Sequence, residues 1–188
     1  MSADRHTIAI LGDTHGIIDP RIAAVVSRCD WALHTGDIGS MDILTSLHPR
    51  EGVVRAVKGN NDVPHKWAGD ESVLDALPFT LAIEVPGGQI MVEHGHRAGP
   101  VKNRHARLRR RYADARAIVY GHSHHMVCDL DEDPWVLNPG AAGRERTFGG
   151  PSCLVLYTGD GAWQVEEHRF PLHRTARATR RVHNRHHK

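Results

Sequence analysis

The chain has 188 residues, 40% of them hydrophobic, with 24 basic and 22 acidic side chains and a formal net charge of +2. This length suits a single domain, which buries enough surface to hold a core without cross-links. The three widely spaced cysteines do not make a disulfide framework. Since no run of apolar residues approaches the roughly 18 of a membrane helix, and no cationic start precedes a secretory apolar segment, we expect a soluble cytoplasmic protein without membrane contact.

Charge is divided unevenly along the chain. The segment from His168 to Lys188 holds seven basic residues and no acidic one, so the remainder has 17 basic and 22 acidic residues, a net of −5. We therefore expect a domain over residues 1–171 and a disordered, His/Arg-rich basic tail over 172–188. The tail is either a nucleic-acid-binding arm or a solubilising extension.

The predicted elements alternate between strands and helices in the first half of the chain. Asp19 followed by Pro20 predicts a helix start, with the helix running to about Ser27. Further helices are predicted over 40–48 and 102–114, and Gly87-Gly88 indicates a hairpin. Short apolar and β-branched runs predict strands over the following ranges: 7–13, 31–37, 53–60, 79–85, 89–96, 116–123, 135–140, 152–158 and 162–170.

The order of these elements indicates an α/β fold with two packed sheets. Strand–helix–strand order in the first half implies parallel pairing with helices on the faces of the sheet. Hairpins and consecutive strands in the second half imply a second, more antiparallel sheet. We therefore predict two sheets packed together with helices outside.

Residues of the types that bind metal ions follow five of the predicted strands, at the point where each strand ends. In chain order these motifs are Asp13-Thr14-His15, Gly36-Asp37, Gly59-Asn60, His94-Gly95-His96 and Gly121-His122-Ser123-His124. Binding sites of α/β sheets form beyond the carboxyl ends of strands, and a mixture of imidazole, carboxylate and amide suits Mn, Fe, Zn or Ni. Any one of these motifs could be an ordinary turn, but all five together predict a metal site.

This ordered set of motifs resembles the calcineurin-like metallophosphoesterase superfamily, in particular its compact single-domain prokaryotic phosphodiesterases. The resemblance extends from about Thr7 to Phe170 and includes the Asn-Pro-Gly turn at 138–140. It implies a four-layer αββα sandwich, in which two mixed β-sheets are flanked by helices.

The resemblance also implies how the ligands are shared between two divalent ions, with manganese first and iron, zinc or nickel as alternatives. Asp37 would bridge the ions. The first ion would be held by Asp13, His15 and His124, and the second by Asn60, His94 and His122. Because Asn60 adds no negative charge, the loaded site would stay net positive and attract a phosphate. The implied reaction is hydrolysis of a phosphoester by in-line attack of a metal-bridging water or hydroxide.

The residues beside the ligands depart from the superfamily pattern at one position. Many relatives have histidine directly after the ligand asparagine, where it assists the leaving group, whereas this chain has Asn61. Asn61 donates hydrogen bonds but cannot release a proton, so we expect it to contact phosphate. We expect His96 and Arg97 to assist the leaving group, His96 being equally a candidate for orienting the site. Asp62 is predicted to stabilise the turn or support a ligand.

Basic residues elsewhere have two possible uses. Arg144 and Arg146 either reach a substrate phosphate from the rim of the site or lie on a solvated loop. The helix predicted over 102–114 carries basic side chains on several faces, which favours a solvated helix over a nucleic-acid surface.

Two functions follow from these observations. The first is a dinuclear metal-dependent phosphoesterase, most simply a phosphodiesterase, acting on a small-molecule or nucleotide-type phosphoester. The second is a catalytically weak or inactive protein-binding scaffold on the same fold, since a eukaryotic member of the superfamily serves mainly as a scaffold in the retromer coat. All seven ligand positions carry competent residues, which favours the enzyme. No feature of the sequence specifies an oligomeric state.

Overall fold

The computed structural model describes residues 5–172, so the predicted tail beyond Leu172 lies outside the described residues. The strands are β1 (Thr7–Leu11), β2 (Trp31–His34), β3 (Val53–Ala56), β4 (Thr80–Val85), β5 (Gly88–Glu93), β6 (Ala117–Tyr120), β7 (Met126–Asp129), β8 (Trp135–Pro139), β9 (Ser152–Tyr157) and β10 (Gln164–Arg169). The α-helices are α1 (Pro20–Val26), α2 (Met41–Ser46), α3 (Glu71–Ala76) and α4 (Arg104–Arg111). Two short 3₁₀ turns lie at Pro64–Lys66 and Val101–Asn103.

The strands form two five-stranded mixed sheets. The first sheet has the order β10-β9-β1-β2-β3 and the second the order β4-β5-β6-β8-β7. Strands β1, β2 and β3 are parallel, and so are β5, β6 and β8. The carboxyl ends of each parallel group therefore lie at one edge of its sheet.

Alternation along the strands explains why the sheets pack face to face. Ile8 and Ile10 of β1 belong to the apolar cluster between the sheets, together with Val92 and Leu137 of the second sheet. The residue between them, Ala9, points to the other face and packs in a separate cluster with helix α1. Successive side chains of a strand point to opposite faces, so β1 contributes to the core on both sides.

Helices cover the outer faces of the two sheets. Ile22 and Val26 of α1 pack on the first sheet, and Leu108 of α4 packs with Ile118 of the second sheet. Helices α2 and α3 share another apolar cluster beside β3, which includes Ile43 and Leu74. The predicted αββα sandwich with two mixed sheets is thereby confirmed.

Capping residues set where two of the helices begin. The Asp19 carboxylate accepts from the backbone N–H of Arg21 at 2.9 Å, and Pro20 occupies the first helical position. The Ser40 hydroxyl accepts from the N–H of Asp42 at 3.1 Å at the start of α2. A side-chain acceptor here satisfies a backbone donor that has no partner within the helix.

The structure differs from the sequence-based expectation in several elements. Helix α3 and strand β7 were not predicted, and the helix expected over 102–114 is reduced to a 3₁₀ turn followed by α4. The second sheet is not the more antiparallel one, because β9 and β10 join the first sheet, where β9 pairs antiparallel with β1 and β10 pairs antiparallel with β9. Between residues 5 and 172, no helix is long and apolar enough to cross a bilayer.

The expectation of a solvated basic helix is also wrong. Arg109 donates to Asp129 at 2.6 Å, and Arg111 donates to Glu93 at 2.9 Å. Arg107 donates to the carbonyl of Ala98 at 2.8 Å. These side chains fasten α4 to the second sheet and to the loop after β5, whereas Arg110 on the same helix is exposed and makes no such bond within residues 5–172.

Candidate metal centre

The predicted ligands come together where loops leave the parallel strands. Loops after β1 and β2 are joined by backbone bonds, in which Asp13 N–H donates to Gly36 at 3.0 Å and His15 N–H donates to Asp37 at 2.9 Å. Gly121 N–H, after β6, donates to the carbonyl of His94, after β5, at 3.0 Å. Between the sheets, the backbone N–H of His122 donates to the Asp13 carboxylate at 3.0 Å. The two sheet edges thus meet in a single polar cluster.

One group of three ligand-type side chains consists of Asp13, His15 and His124. Their nearest ligand atoms all lie within 4.8 Å of one another. His124 Nε2 is 3.3 Å from Asp13 Oδ1 and 3.4 Å from His15 Nε2. These are the three residues predicted to hold one ion.

The second group centres on His94. Its Nε2 lies 3.1 Å from Asn60 Oδ1 and 3.4 Å from Asp37 Oδ2, and the ring of His122 lies 5.2 Å from its own ring, centroid to centroid. The Asp37 carboxylate is also 3.9 Å from His15 Nε2. Asp37 therefore lies between the two groups.

A backbone hydrogen bond fixes which nitrogen of His94 faces this group. The Nδ1 atom is 2.8 Å from the carbonyl oxygen of Thr35. Because a carbonyl only accepts, Nδ1 donates this hydrogen bond, and Nε2 is the nitrogen that faces Asp37 and Asn60. A histidine that donates its outer N–H to a carbonyl has the tautomer and orientation of a metal ligand.

Unusual backbone conformations coincide with the cluster. Among residues 5–172, six non-glycine residues have positive φ between 48° and 68°, and five of them are predicted ligands: Asp13, His15, Asp37, His122 and His124. The sixth is Arg146. Left-handed backbone is uncommon for residues with a side chain, and such strain concentrates at functional sites.

Glycines next to the ligands allow the loops to approach closely. A Cβ on Gly59 would collide with the backbone and carboxylate of Asp37, and one on Gly36 would come within 2.8 Å of the Gly59 nitrogen. A Cβ on Gly121 would lie 3.1 Å from Asp13 Oδ2. The absence of a side chain at these positions is a steric requirement of the site.

Burial and charge shift the pKa values of the cluster in opposite directions. Burial raises the pKa of Asp13 to about 7 and, together with the charge of Arg146, lowers that of His124 to about 4. The pKa of Asp37 lies below its ordinary value: burial opposes this, but His94 and the hydrogen bonds from Asn61 favour the charged form. A carboxylate held in its charged form is in the ionisation state that binds a cation.

The residues present fit divalent transition metals. Asp13 is fully buried, yet its Oδ1 has no hydrogen-bond donor, and it faces His124. A buried carboxylate oxygen without a partner costs free energy unless a cation or donor meets it. The oxygen and imidazole donors around it are of the type that Mn, Fe, Zn and Ni accept.

Asn61 and Asp62 support the cluster in different ways. The backbone and side-chain amides of Asn61 donate to the two oxygens of Asp37 at 2.8 and 2.7 Å. Asp62 is 1% exposed and accepts from the backbone N–H groups of Ile38, Gly39 and Gly59 at 2.8 to 3.0 Å. Asp62 thereby ties the loop after β2 to the loop after β3.

The other predicted contact residues are distributed around the site. His96 lies beside the candidate metal ligands, and the centre of its ring is 5.5 Å from the centre of the His94 ring. Arg97 stacks on Phe79 at 3.8 Å and lines, with His96 and Asn60, a cleft of about 310 Å³. Arg146 reaches the site, its Nη2 lying 3.5 Å from His15 Nε2.

Arg144, by contrast, is exposed. Within the described part of the chain it makes no hydrogen bond or ion pair with the site. The two rim arginines of the sequence prediction are therefore not equivalent.

Two further residues at the site were not recognised in the sequence. Lys66, in the first 3₁₀ turn, donates to Asn61 Oδ1 at 2.7 Å. His34 is fully buried behind the cluster, where its Nδ1 accepts from Gly36 N–H at 3.1 Å and its Nε2 donates to Thr14 Oγ1 at 2.9 Å. In the sequence, the only indication of a role for His34 is its position in the strand predicted over 31–37, before the Gly36-Asp37 motif.

Comparisons with known proteins identify the family of the chain. Residues 7–161 match the model of the calcineurin-like phosphoesterase superfamily domain. Phosphodiesterase MJ0936 of Methanocaldococcus jannaschii is 23% identical over an alignment of 142 residues, and the match covers 71% of this chain and 82% of that protein.

Solved structures show the same fold. A predicted phosphoesterase from Streptococcus pneumoniae superposes with a TM-score of 0.61 at 24% identity, covering 88% of this chain and 90% of its own. Wild-type Vps29 from Entamoeba histolytica in complex with Zn²⁺ gives a TM-score of 0.59 at 20% identity, covering 87% and 98%. With a family match over most of its length, the chain belongs to the calcineurin-like phosphoesterase superfamily.

Proposed function

We propose that the protein is a metal-dependent phosphoesterase that acts as a phosphodiesterase and uses two divalent transition-metal ions. The observation that carries this proposal is the convergence of seven ligand-type side chains, five of them on left-handed backbone. A protein that had no use for these side chains would gain stability by replacing strained residues with glycine.

Each ligand has a definite part in this proposal. Asp37 is shared, and the two ions are held by the sets Asp13, His15, His124 and Asn60, His94, His122. Manganese is our first choice of metal, with iron, zinc and nickel as alternatives. When bound, the ions lower the pKa of a water molecule and offset the charge of a phosphoryl group.

The neighbouring residues bind and orient the substrate. The guanidinium of Arg146, next to His15, is placed to pair with a phosphate oxygen. Asn61 holds both oxygens of Asp37 and has a second side-chain N–H for the substrate. Lys66 adds a positive charge beside Asn61.

The leaving group is the point at which this chain departs from many relatives. Asn61 supplies no proton, so the substitute candidates are His96 and Arg97, which line the cleft beside Asn60. Hydrolysis proceeds by in-line attack of water, and esters whose leaving group departs as a stable anion should react best.

The proposal is tested by hydrolysis of bis-p-nitrophenyl phosphate and p-nitrophenyl phosphate with chelator-treated protein, with and without added Mn²⁺. We expect Mn²⁺-dependent turnover that favours the diester. Asp37→Ala should abolish it, whereas Asp75→Ala, which removes an exposed carboxylate of α3, should not. Absence of turnover with Mn²⁺, Zn²⁺, Ni²⁺ and Fe²⁺ would contradict the proposal and leave the scaffold as the better explanation.

A further inference from the structure

We propose that a cavity next to His122 binds a second phosphate group of the substrate, so that the preferred substrate is a nucleotide-type phosphodiester with an additional terminal phosphate. This inference rests on the proposed function, because the scissile phosphate is assigned to the metal centre. It adds a substrate class and two specificity residues, Arg104 and Lys102.

The cavity adjoins the metal centre. It has a volume of about 800 Å³ and lies between the loop after β6 and the start of α4. His122 and Ser123 form the side nearest the metal centre, and Lys102, Arg104 and His105 line the side formed by the 3₁₀ turn and α4. A substrate bound at the centre can therefore extend into this space without crossing the sandwich.

Most of the charged groups around the cavity already have partners. Arg109 is bonded to Asp129 at 2.6 Å and lies 3.5 Å from Glu132. His105 donates from Nδ1 to the same Asp129 at 2.7 Å and accepts from the Tyr120 hydroxyl at 3.1 Å. These groups form a fixed wall, and their charges are largely compensated.

Arg104 is the exception. Its side chain lines the cavity, the residue is only 8% exposed, and its Nε has no hydrogen-bond partner. Its hydrogen bond from Nη2 to the carbonyl of Gly99 is long, at 3.4 Å, and its guanidinium carbon lies 5.7 Å from the centre of the Tyr120 ring. Among residues 5–172, no carboxylate lies within 4.0 Å of it. A buried cation is normally paired, so this guanidinium lacks the anion that its position requires.

Phosphate is the anion that best fits these groups. A guanidinium binds two phosphate oxygens with parallel N–H groups, and Lys102, exposed at the entrance, adds a point charge. The cavity lining has three basic residues, Lys102, Arg104 and Arg109, against one acidic residue, Glu132.

A matched pair of chromogenic diesters tests the inference: thymidine 5′-(p-nitrophenyl phosphate) and the same ester with a 3′-phosphate. We expect the Mn²⁺-loaded wild-type protein to favour the 3′-phosphorylated ester by at least about tenfold in kcat/KM, the size of one charge-assisted contact. Arg104→Gln and, separately, Lys102→Gln should reduce that ratio toward one. Arg110→Gln removes an exposed charge from the same helix outside the cavity lining and should keep it. A wild-type ratio near one would overturn the inference.

Binding to chelator-treated protein separates this inference from the proposed function. By titration calorimetry, thymidine 3′,5′-bisphosphate should bind at least about tenfold more tightly than thymidine 5′-monophosphate, and Arg104→Gln should remove the difference. Such binding without turnover of either ester would contradict the proposed function and support the cavity as a phosphate-binding site. Turnover of both esters at equal rates, with equal binding of the two nucleotides, would support the proposed function and contradict the cavity as a phosphate-binding site. If Arg104→Gln fails to fold, Lys102→Gln on the surface still decides the question.

Discussion

Asn61 holds both oxygens of Asp37, through its backbone N–H at 2.8 Å and its side-chain N–H at 2.7 Å. Asp37 therefore keeps one orientation, although it stands between two groups of ligands. Asn61 thus fixes the carboxylate that we assign to both ions.

This relationship predicts an order of activities among variants of Asn61. Asn61→Ala loses the side-chain hydrogen bond but keeps the backbone one, so Mn²⁺-dependent turnover should fall about tenfold, as expected for a bond to a charged group. Asn61→Asp places a carboxylate against Asp37 and should reduce turnover further, by about a hundredfold. Initial rates with bis-p-nitrophenyl phosphate check both values. Asn61→Asp as active as the wild-type protein would show that this amide does not matter.

Close packing of the loops predicts a steric effect at Gly59. A methyl group there would collide with Asp37, so Gly59→Ala should displace the carboxylate and lower activity by about a hundredfold, as for a displacement of about 1 Å at a catalytic site. Gly161→Ala makes the same change where a Cβ meets nothing within 4 Å and should retain wild-type activity. Equal activity of the two variants would be incompatible with the packing described here.

Burial of His34 predicts how stability depends on pH. Burial lowers the pKa of His34 from 6.5 to about 3. As the pH falls below about 6.5, the unfolded chain takes up a proton on His34 that the folded protein refuses until about pH 3. The free energy of unfolding should thus decrease, with His34 contributing about 2 kcal/mol of loss by pH 5.

The measurement is urea unfolding of chelator-treated protein at pH 7 and pH 5. His34→Gln should lose about 2 kcal/mol less than the wild-type protein between these pH values, because other titrating groups are common to both. The control is His48→Gln, the same replacement at an exposed position. A pH dependence of His34→Gln identical to that of the wild-type protein would refute the assignment.

Much of the site was predictable because its ligands follow the ends of apolar strands. Motifs such as Gly36-Asp37 and Gly121-His122 mark a strand, a turn and a ligand in adjacent positions, and the sheet edge then brings them together. The sequence could not predict that β9 pairs with β1, since that pairing joins residues more than 140 positions apart. Strand β7 was missed because its half-buried residues give no alternating pattern.

The residues that support the ligands were harder to recognise. Lys66 and Arg104 look like ordinary surface charges in the sequence, and only their contacts distinguish them from the other basic residues. Asp62 was expected to stabilise the turn or support a ligand, but its three bonds to two different loops depend on tertiary structure. Local sequence reports residue type and spacing, whereas these roles depend on the neighbours that the fold supplies.

The left-handed backbone at five ligands has a consequence for engineering. Transplanting the seven side chains onto another β-sandwich would not recreate the centre, because ordinary turns would aim them elsewhere. The backbone of the host would have to be rebuilt as well, at a cost of about 1 kcal/mol or more for each left-handed residue. A transplant would therefore have to include the loops that follow the strands, with their left-handed residues. Once those loops are in place, the ligand side chains could be changed more freely than the backbone that positions them.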